Sequence, residues 1–129
     1  MIQGVGLDII EIARIREAIE RHGRHFISHV FTERELAHAP EEIDAAARYY
    51  AGRWAAKEAC VKALGTGIGT ACRWHDIEVE RTDSGQPRIV LSGAGRATAQ
   101  ELGMTVLHVS ISHEKKTACA VVVGENCEL

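Results

Sequence analysis

Arg53-Trp54-Ala55-Ala56-Lys57-Glu58-Ala59-Cys60-Val61-Lys62 is the stretch on which the fold turns. It is alanine-rich, holds neither Gly nor Pro, and is followed by Leu64-Gly65, where Gly65 suits a C-terminal cap. It therefore reads as helix. Side chains four apart share a helix face, so Trp54, Glu58 and Lys62 form one row and Arg53 and Lys57 the next. By itself this pattern has two readings. One is a solvated face with a Glu58–Lys62 pair worth about 0.3–0.5 kcal/mol; the other is a carboxylate among three cations, set for metal-assisted handling of phosphate.

Working outward, the same helix extends back through Tyr50, Ala47 and Ile43 to a length of about 25 residues, with Pro40 placed in its first turn. Thr32-Glu33-Arg34-Glu35 is a capping box that opens a short helix near 33–38. Ile12, Ile15 and Ile19 recur at spacings of three and four, which predicts an amphipathic helix over about 11–22. Residues 2–10 are apolar and Gly-punctuated and read as a buried strand. Beyond Gly65 the period changes. Ile77, Val79 and the run Arg88–Leu91 read as two strands joined by an Asp83-Ser84-Gly85 turn, and Ser92 can cap a helix ending near Gly103. Thr105–Ser112 and Thr117–Val123 read as two more strands, linked by His113-Glu114-Lys115-Lys116. The expected fold is one α+β domain over residues 1–129, a mainly antiparallel sheet packed against a long central helix.

Composition narrows the function. The 129 residues are 46% hydrophobic and 26% charged, as in an ordinary globular protein, and a net charge of -3 makes no general case for nucleic acid. Four cysteines stand without a C-x-x-C pair or zinc spacing, which favours reduced thiols inside the cell. The N-terminus has no signal-peptide pattern, and no apolar run approaches about 18 residues. A cytoplasmic protein with no membrane contact is expected.

Asp8 follows Gly4-Val5-Gly6-Leu7 near the end of an apolar strand, where a charge is costly unless paired or metal-bound. It is either a metal ligand or the N-cap of the next helix. Asp8 and Glu58, carboxylates from separate elements, match the usual way of holding Mg²⁺, with water and phosphate oxygens filling the other positions. Lys57 and Lys62 can neutralise phosphate charge, and Arg53 can grip a phosphate with its planar fork. Gly65-Thr66-Gly67-Ile68-Gly69 fits neither a P-loop nor a Rossmann fingerprint, but it is either a helix cap or a backbone approach to pyrophosphate. Ser110 and Ser112 share a strand face and His113 begins the turn. Phosphate contacts suit them better than a nucleophilic pair, since no acidic partner is indicated. Arg14, Arg21 and Arg24 read as a solvated face beside Glu17 and Glu20. His22, His25 and His29 read as surface residues rather than metal ligands.

Five segments together resemble the holo-[acyl-carrier-protein] synthases, the short bacterial type of 4′-phosphopantetheinyl transferase. They are Gly4–Ile9, Phe31–Leu36, Arg53–Ala59, Gly65–Gly69 and Val109–His113, in that order and spanning residue 2 to about 124. The resemblance implies transfer of 4′-phosphopantetheine from coenzyme A to a serine of apo acyl carrier protein, in fatty acid biosynthesis. It implies Mg²⁺ on Asp8 and Glu58, with Lys62 and Glu58 catalytic and Glu58 the candidate base. Coenzyme A, with its 3′-phosphate, would be held by Arg53, Lys57, Lys62, the Gly65 loop, Ser110 and His113. Arg14, Arg21 and Arg24 would meet the acidic helix of the carrier. It also implies a homotrimer with active sites between subunits, Asp8 and the 53–62 helix on one chain and sheet residues from the next.

Overall fold

A computed structural model describes residues 1–128. The chain runs β1 (Ile2–Glu11), α1 (Ile12–His22), α2 (Arg24–Val30), α3 (Glu33–Ala37), α4 (Ile43–Leu64), a 3₁₀ turn (Trp74–Asp76), β2 (Ile77–Arg81), β3 (Pro87–Leu91), α5 (Gly93–Glu101), β4 (Val106–His113) and β5 (Thr117–Glu125). This is the expected α+β architecture. The sheet is in two parts: an antiparallel trio in the order β1-β5-β4, and a separate β2-β3 hairpin turning at Gly85, whose φ is 89°.

Helix α4 has 22 residues and is the backbone of the core; Ala51, Ala55, Ala56, Ala59, Cys60 and Val61 have no exposed surface. Its C-terminus closes on Gly65 in the left-handed conformation, φ 77°, as the leucine-glycine ending predicts. Its N-terminus differs from expectation. Glu42 is the N-cap, its carboxylate accepting from the Asp44 and Ala45 amides, so the helix starts three residues after Pro40. Small residues let α4 lie directly on the sheet. Gly4 and Gly6 of β1 face it, and a Cβ on either would collide with the carbonyl of Ala63 or Ala59. At its other end Gly52 lies against Ile111 of β4. The helix therefore crosses the trio diagonally, from β4 at Gly52 to β1 at Ala63.

β1 corrects a second expectation. Gly6 and Ile10 are buried against α4, but Val5, Leu7 and Ile9 are 59%, 63% and 69% exposed on the opposite face. The strand is an edge covered on one side only, and the apolar run comes from one buried set and one open set. Register carries the open face across the trio: Leu7 lies beside Val121, and Val121 beside Ser110.

The segment after Gly23 is also more regular than its polar composition implies. It forms α2, held by Phe26 and Val30 against Trp54 and the core. The capping box forms as predicted, with the Thr32 amide donating to Glu35 and the Glu35 amide to the Thr32 hydroxyl.

Candidate active site

The diagonal course of α4 sorts its charged residues into two places. Glu58 follows Arg53 by five residues, about 140° around the helix. Its row faces β1, whereas the Arg53 row faces α3 and β2.

On the β1 side, Asp8 lies within the strand, on the face covered by α4, between Gly6 and Ile10. It does not cap α1; that position is Glu11. Lys62 Nζ donates to the Leu7 carbonyl at 2.9 Å and to Asp8 Oδ1 at 3.2 Å. Asp8 Oδ2 is buried and has no hydrogen-bond partner. Glu58 stands close enough that its carboxyl is pushed above the usual range, first by burial and then by the Asp8 charge, with Lys62 opposing. Two carboxylates with one orphaned oxygen and a single exposed lysine form an electron-rich seam between β1 and α4. Among the described residues, no cluster of three or more His, Cys, Asp or Glu side chains could hold a metal ion. Two carboxylates alone suit Mg²⁺, which takes few protein ligands and fills its shell with water and phosphate oxygens.

On the other side lies a cleft of about 1100 Å³ between α3, α4, the β2-β3 hairpin and the end of β4. Arg34, Arg48, Arg53, Arg81 and Arg88 line it, with Tyr49, Ile111 and His113 and the carboxylates Glu78, Glu80 and Asp83, of which Glu78 pairs with Arg34 and Glu80 with Arg88. Arg53 is only 8% exposed; its guanidinium lies 3.8 Å from the centre of the Tyr49 ring, and its Nε has no partner. Burial, the first cause, and Arg81 nearby lower its pKa, yet no carboxylate pairs with it among the described residues. A buried cation in this state is a place for an anion. Asp8, Glu58 and Lys62 are absent from this cleft. The chain thus unites Asp8, Glu58 and Lys62 at one place and Arg53 and His113 at another.

Two expected residues belong to neither group. Lys57 is fully buried. Its ammonium lies 2.7 Å from Glu35 Oε1 and donates to the Val30 and Trp74 carbonyls at 2.8 and 3.2 Å. Its donors are spent inside the protein, so the expectation that it holds coenzyme A is corrected. Ser110 sits on the open sheet face, in register with Leu7 across Val121, while His113 pairs with Ala118, whose other partner is Ile10, on the α4 face. Residues three apart on a strand point to opposite sides. Ser110 therefore does not act beside His113 within one chain. Gly65 is exposed at the end of α4, near the Lys62 side, with open space where a side chain would stand.

Arg14 and Arg21 lie on α1, and Arg24, beyond the Gly23 break, opens α2. Arg14, Arg21 and Arg24 are exposed, and none forms an ion pair among the described residues. The acidic residue Glu20 turns to Arg16 instead, 3.6 Å away, and Arg16 also pairs with Asp44. Sequence reading missed Tyr49 and Glu35 as supports of the cleft. The i,i+4 spacing of Tyr49 and Arg53 was the available signal. Among the described residues, no helix is long and apolar enough to cross a membrane.

Comparison with known proteins finds relatives over nearly the whole chain. The model of the 4′-phosphopantetheinyl transferase superfamily matches residues 4–122. Holo-[acyl-carrier-protein] synthase of Alkalilimnicola ehrlichii is 44% identical over 128 residues, covering 99% of this chain and 100% of that protein. The crystal structure of the Helicobacter pylori holo-[acyl-carrier-protein] synthase in complex with coenzyme A superimposes with a TM-score of 0.83 at 31% identity, covering 94% of this chain and 99% of that one. A Bacillus anthracis holo-(acyl-carrier-protein) synthase, in complex with CoA (3′,5′-ADP), gives a TM-score of 0.78 at 37% identity over 98% of each chain. By fold and by sequence similarity over nearly the whole of the residues given, the chain belongs to the holo-[acyl-carrier-protein] synthases of the 4′-phosphopantetheinyl transferase superfamily.

Proposed function

We propose that this protein transfers the 4′-phosphopantetheine arm of coenzyme A to a serine of apo acyl carrier protein and releases adenosine 3′,5′-bisphosphate, serving fatty acid biosynthesis in the cytoplasm. The observation that carries this reading is the orphaned, buried Oδ2 of Asp8 beside Glu58. Asp8 and Glu58 would hold Mg²⁺, which when bound supplies Lewis-acid polarisation of the pyrophosphate and offsets charge on the leaving bisphosphate. The serine oxygen forms a bond to the phosphorus on the pantetheine side. The bond from that phosphorus to the adenosine 5′-phosphate oxygen breaks, and its electron pair leaves with the bisphosphate. Glu58 takes the serine proton, directly or through a water; its raised pKa brings it nearer to a working base at neutral pH. Lys62, already on Asp8, neutralises phosphate charge in the same seam.

Arg53 and His113 hold coenzyme A in the arginine-lined cleft, and the Gly65 loop approaches the pyrophosphate beside Lys62. Since one chain keeps the cleft apart from the carboxylates, the complete site lies between subunits. The open apolar face at Val5, Leu7 and Ile9 supports assembly, as a homotrimer, with the carboxylate seam of one chain facing the cleft of the next. Arg14, Arg21 and Arg24 receive the acidic carrier through charge steering. The test is intact-mass spectrometry of an apo carrier incubated with the protein, coenzyme A and Mg²⁺. A gain of one phosphopantetheine, blocked by EDTA, supports the proposal; no gain across several apo carriers rejects it.

A further inference from the structure

We propose that Tyr49 is a positioning residue whose ring sets the strength with which Arg53 holds a phosphate. The inference rests on the reading that Arg53 contacts coenzyme A, and adds what makes that contact strong. Tyr49 precedes Arg53 by one helical turn, so the two side chains meet, the guanidinium 3.8 Å from the ring centre. The ring is held from behind. Its hydroxyl donates to the Glu35 carbonyl at 2.7 Å, and Tyr50 packs edge-on with centroids 5.2 Å apart. Glu35 is itself immobile, since its carboxylate takes Lys57 at 2.7 Å, the Val79 amide at 2.7 Å and the Thr32 amide at 2.8 Å.

The chemistry of the shelf matters. A buried arginine needs compensation, and a carboxylate would supply it by occupying the N–H fork. An aromatic face supplies it through the ring quadrupole and leaves the fork free. Arg53 accordingly has a buried Nε with no partner and no carboxylate among the described residues, and it faces a cleft that Arg81 also lines. Tyr49 supports the guanidinium through its ring face, 3.8 Å away, where a carboxylate would take up the whole fork.

Calorimetric binding of adenosine 3′,5′-bisphosphate to the full-length protein tests this, with steady-state kinetics beside it. Tyr49→Leu removes the shelf at similar bulk and should weaken binding roughly tenfold. It should raise KM for coenzyme A in parallel while kcat at saturation changes less than about twofold. Tyr49→Phe keeps the shelf, loses the anchor and should lose about threefold. In an Arg53→Met background, Tyr49→Leu should add less than about twofold. Full affinity in Tyr49→Leu, or the same loss with and without Arg53, would overturn the positioning role. Should Tyr49→Leu fail to fold, an Arg53-independent loss in Tyr49→Phe overturns it equally. If Arg53→Met itself binds the bisphosphate normally, the underlying reading of Arg53 fails instead.

Discussion

Lys57 and Glu35 meet 2.7 Å apart with 0% and 1% of their side chains exposed. Burial lowers the Lys57 pKa, and Glu35 opposes that shift. Every remaining donor and acceptor of the pair is committed to backbone from α2, the 3₁₀ turn, β2 and the α3 cap. The pair is thus a junction between five elements, α4 included, one residue away from Glu58 in sequence but outside the chemistry. Removing one partner strands the other charge. Lys57→Met or Glu35→Gln should cost about 3–5 kcal/mol in urea unfolding, whereas an exposed pair such as Arg16–Glu20 contributes below about 1 kcal/mol. A loss under about 1 kcal/mol for Lys57→Met would contradict the structural role.

Asp8→Ala and Glu58→Ala should each lower transfer by about a thousandfold or more, since they remove the ligands for the charge-neutralising cation. Folding should survive. Lys62, the partner of Asp8, is half exposed, and a solvent-screened pair contributes little. Circular dichroism and transfer kinetics on the same preparations check both halves, and retained turnover in either variant would remove it from the metal site.

Glu58 also predicts a pH dependence. Its folded pKa lies above the ordinary 4.5, first from burial and then from Asp8. A raised carboxyl contributes stability that is full below 4.5 and is lost as pH rises through the folded value. Glu58→Gln should therefore be more stable than the parent at pH 7, and the difference should vanish as pH falls toward 4.5. Mg²⁺ should bind the parent more tightly as pH rises over that same window, since proton and cation compete for Glu58. Denaturation and Mg²⁺ titration at stepped pH measure both; a gap that widens on acidification would reverse the sign.

Much of this was legible beforehand, for physical reasons. The long helix carries strong local signals: alanine, a leucine-glycine ending and no breaker. The capping box at Thr32 and Glu35 is likewise a local device, and it formed. The pairing of Asp8 with the Glu58–Lys62 row followed from charge in an apolar strand, and Gly4 and Gly6 explain how helix and strand come close enough. What failed was non-local. Lys57 looks like its neighbours in sequence, and only the position of Glu35 across the fold makes it a core residue. The open side of β1 shows in sequence as hydrophobicity alone, which does not tell a buried face from one awaiting a partner. That Arg53 and His113 belong together came from the family resemblance; the diagonal course of α4 that brings both to one cleft is a property no window of sequence contains.

The carrier surface is tested by charge reversal. Arg14→Glu with Arg21→Glu should weaken carrier binding about tenfold or more at low salt and leave coenzyme A binding within about twofold. The effect should shrink as ionic strength rises and the Debye length falls below about 8 Å. Equal loss toward both ligands would contradict the docking role.

A divided catalytic centre makes a prediction that no single-chain site shares. Glu58→Ala damages the seam and Arg53→Met damages the cleft, so each variant alone should transfer poorly. Co-refolded in equal amounts, the two chains should form mixed trimers in which about a quarter of the interfaces join an intact seam to an intact cleft. Intact-mass spectrometry of the acyl carrier protein should then show transfer at about a quarter of the parent rate. If the mixture is no more active than the better of the two variants, seam and cleft act within one chain and the divided site is wrong.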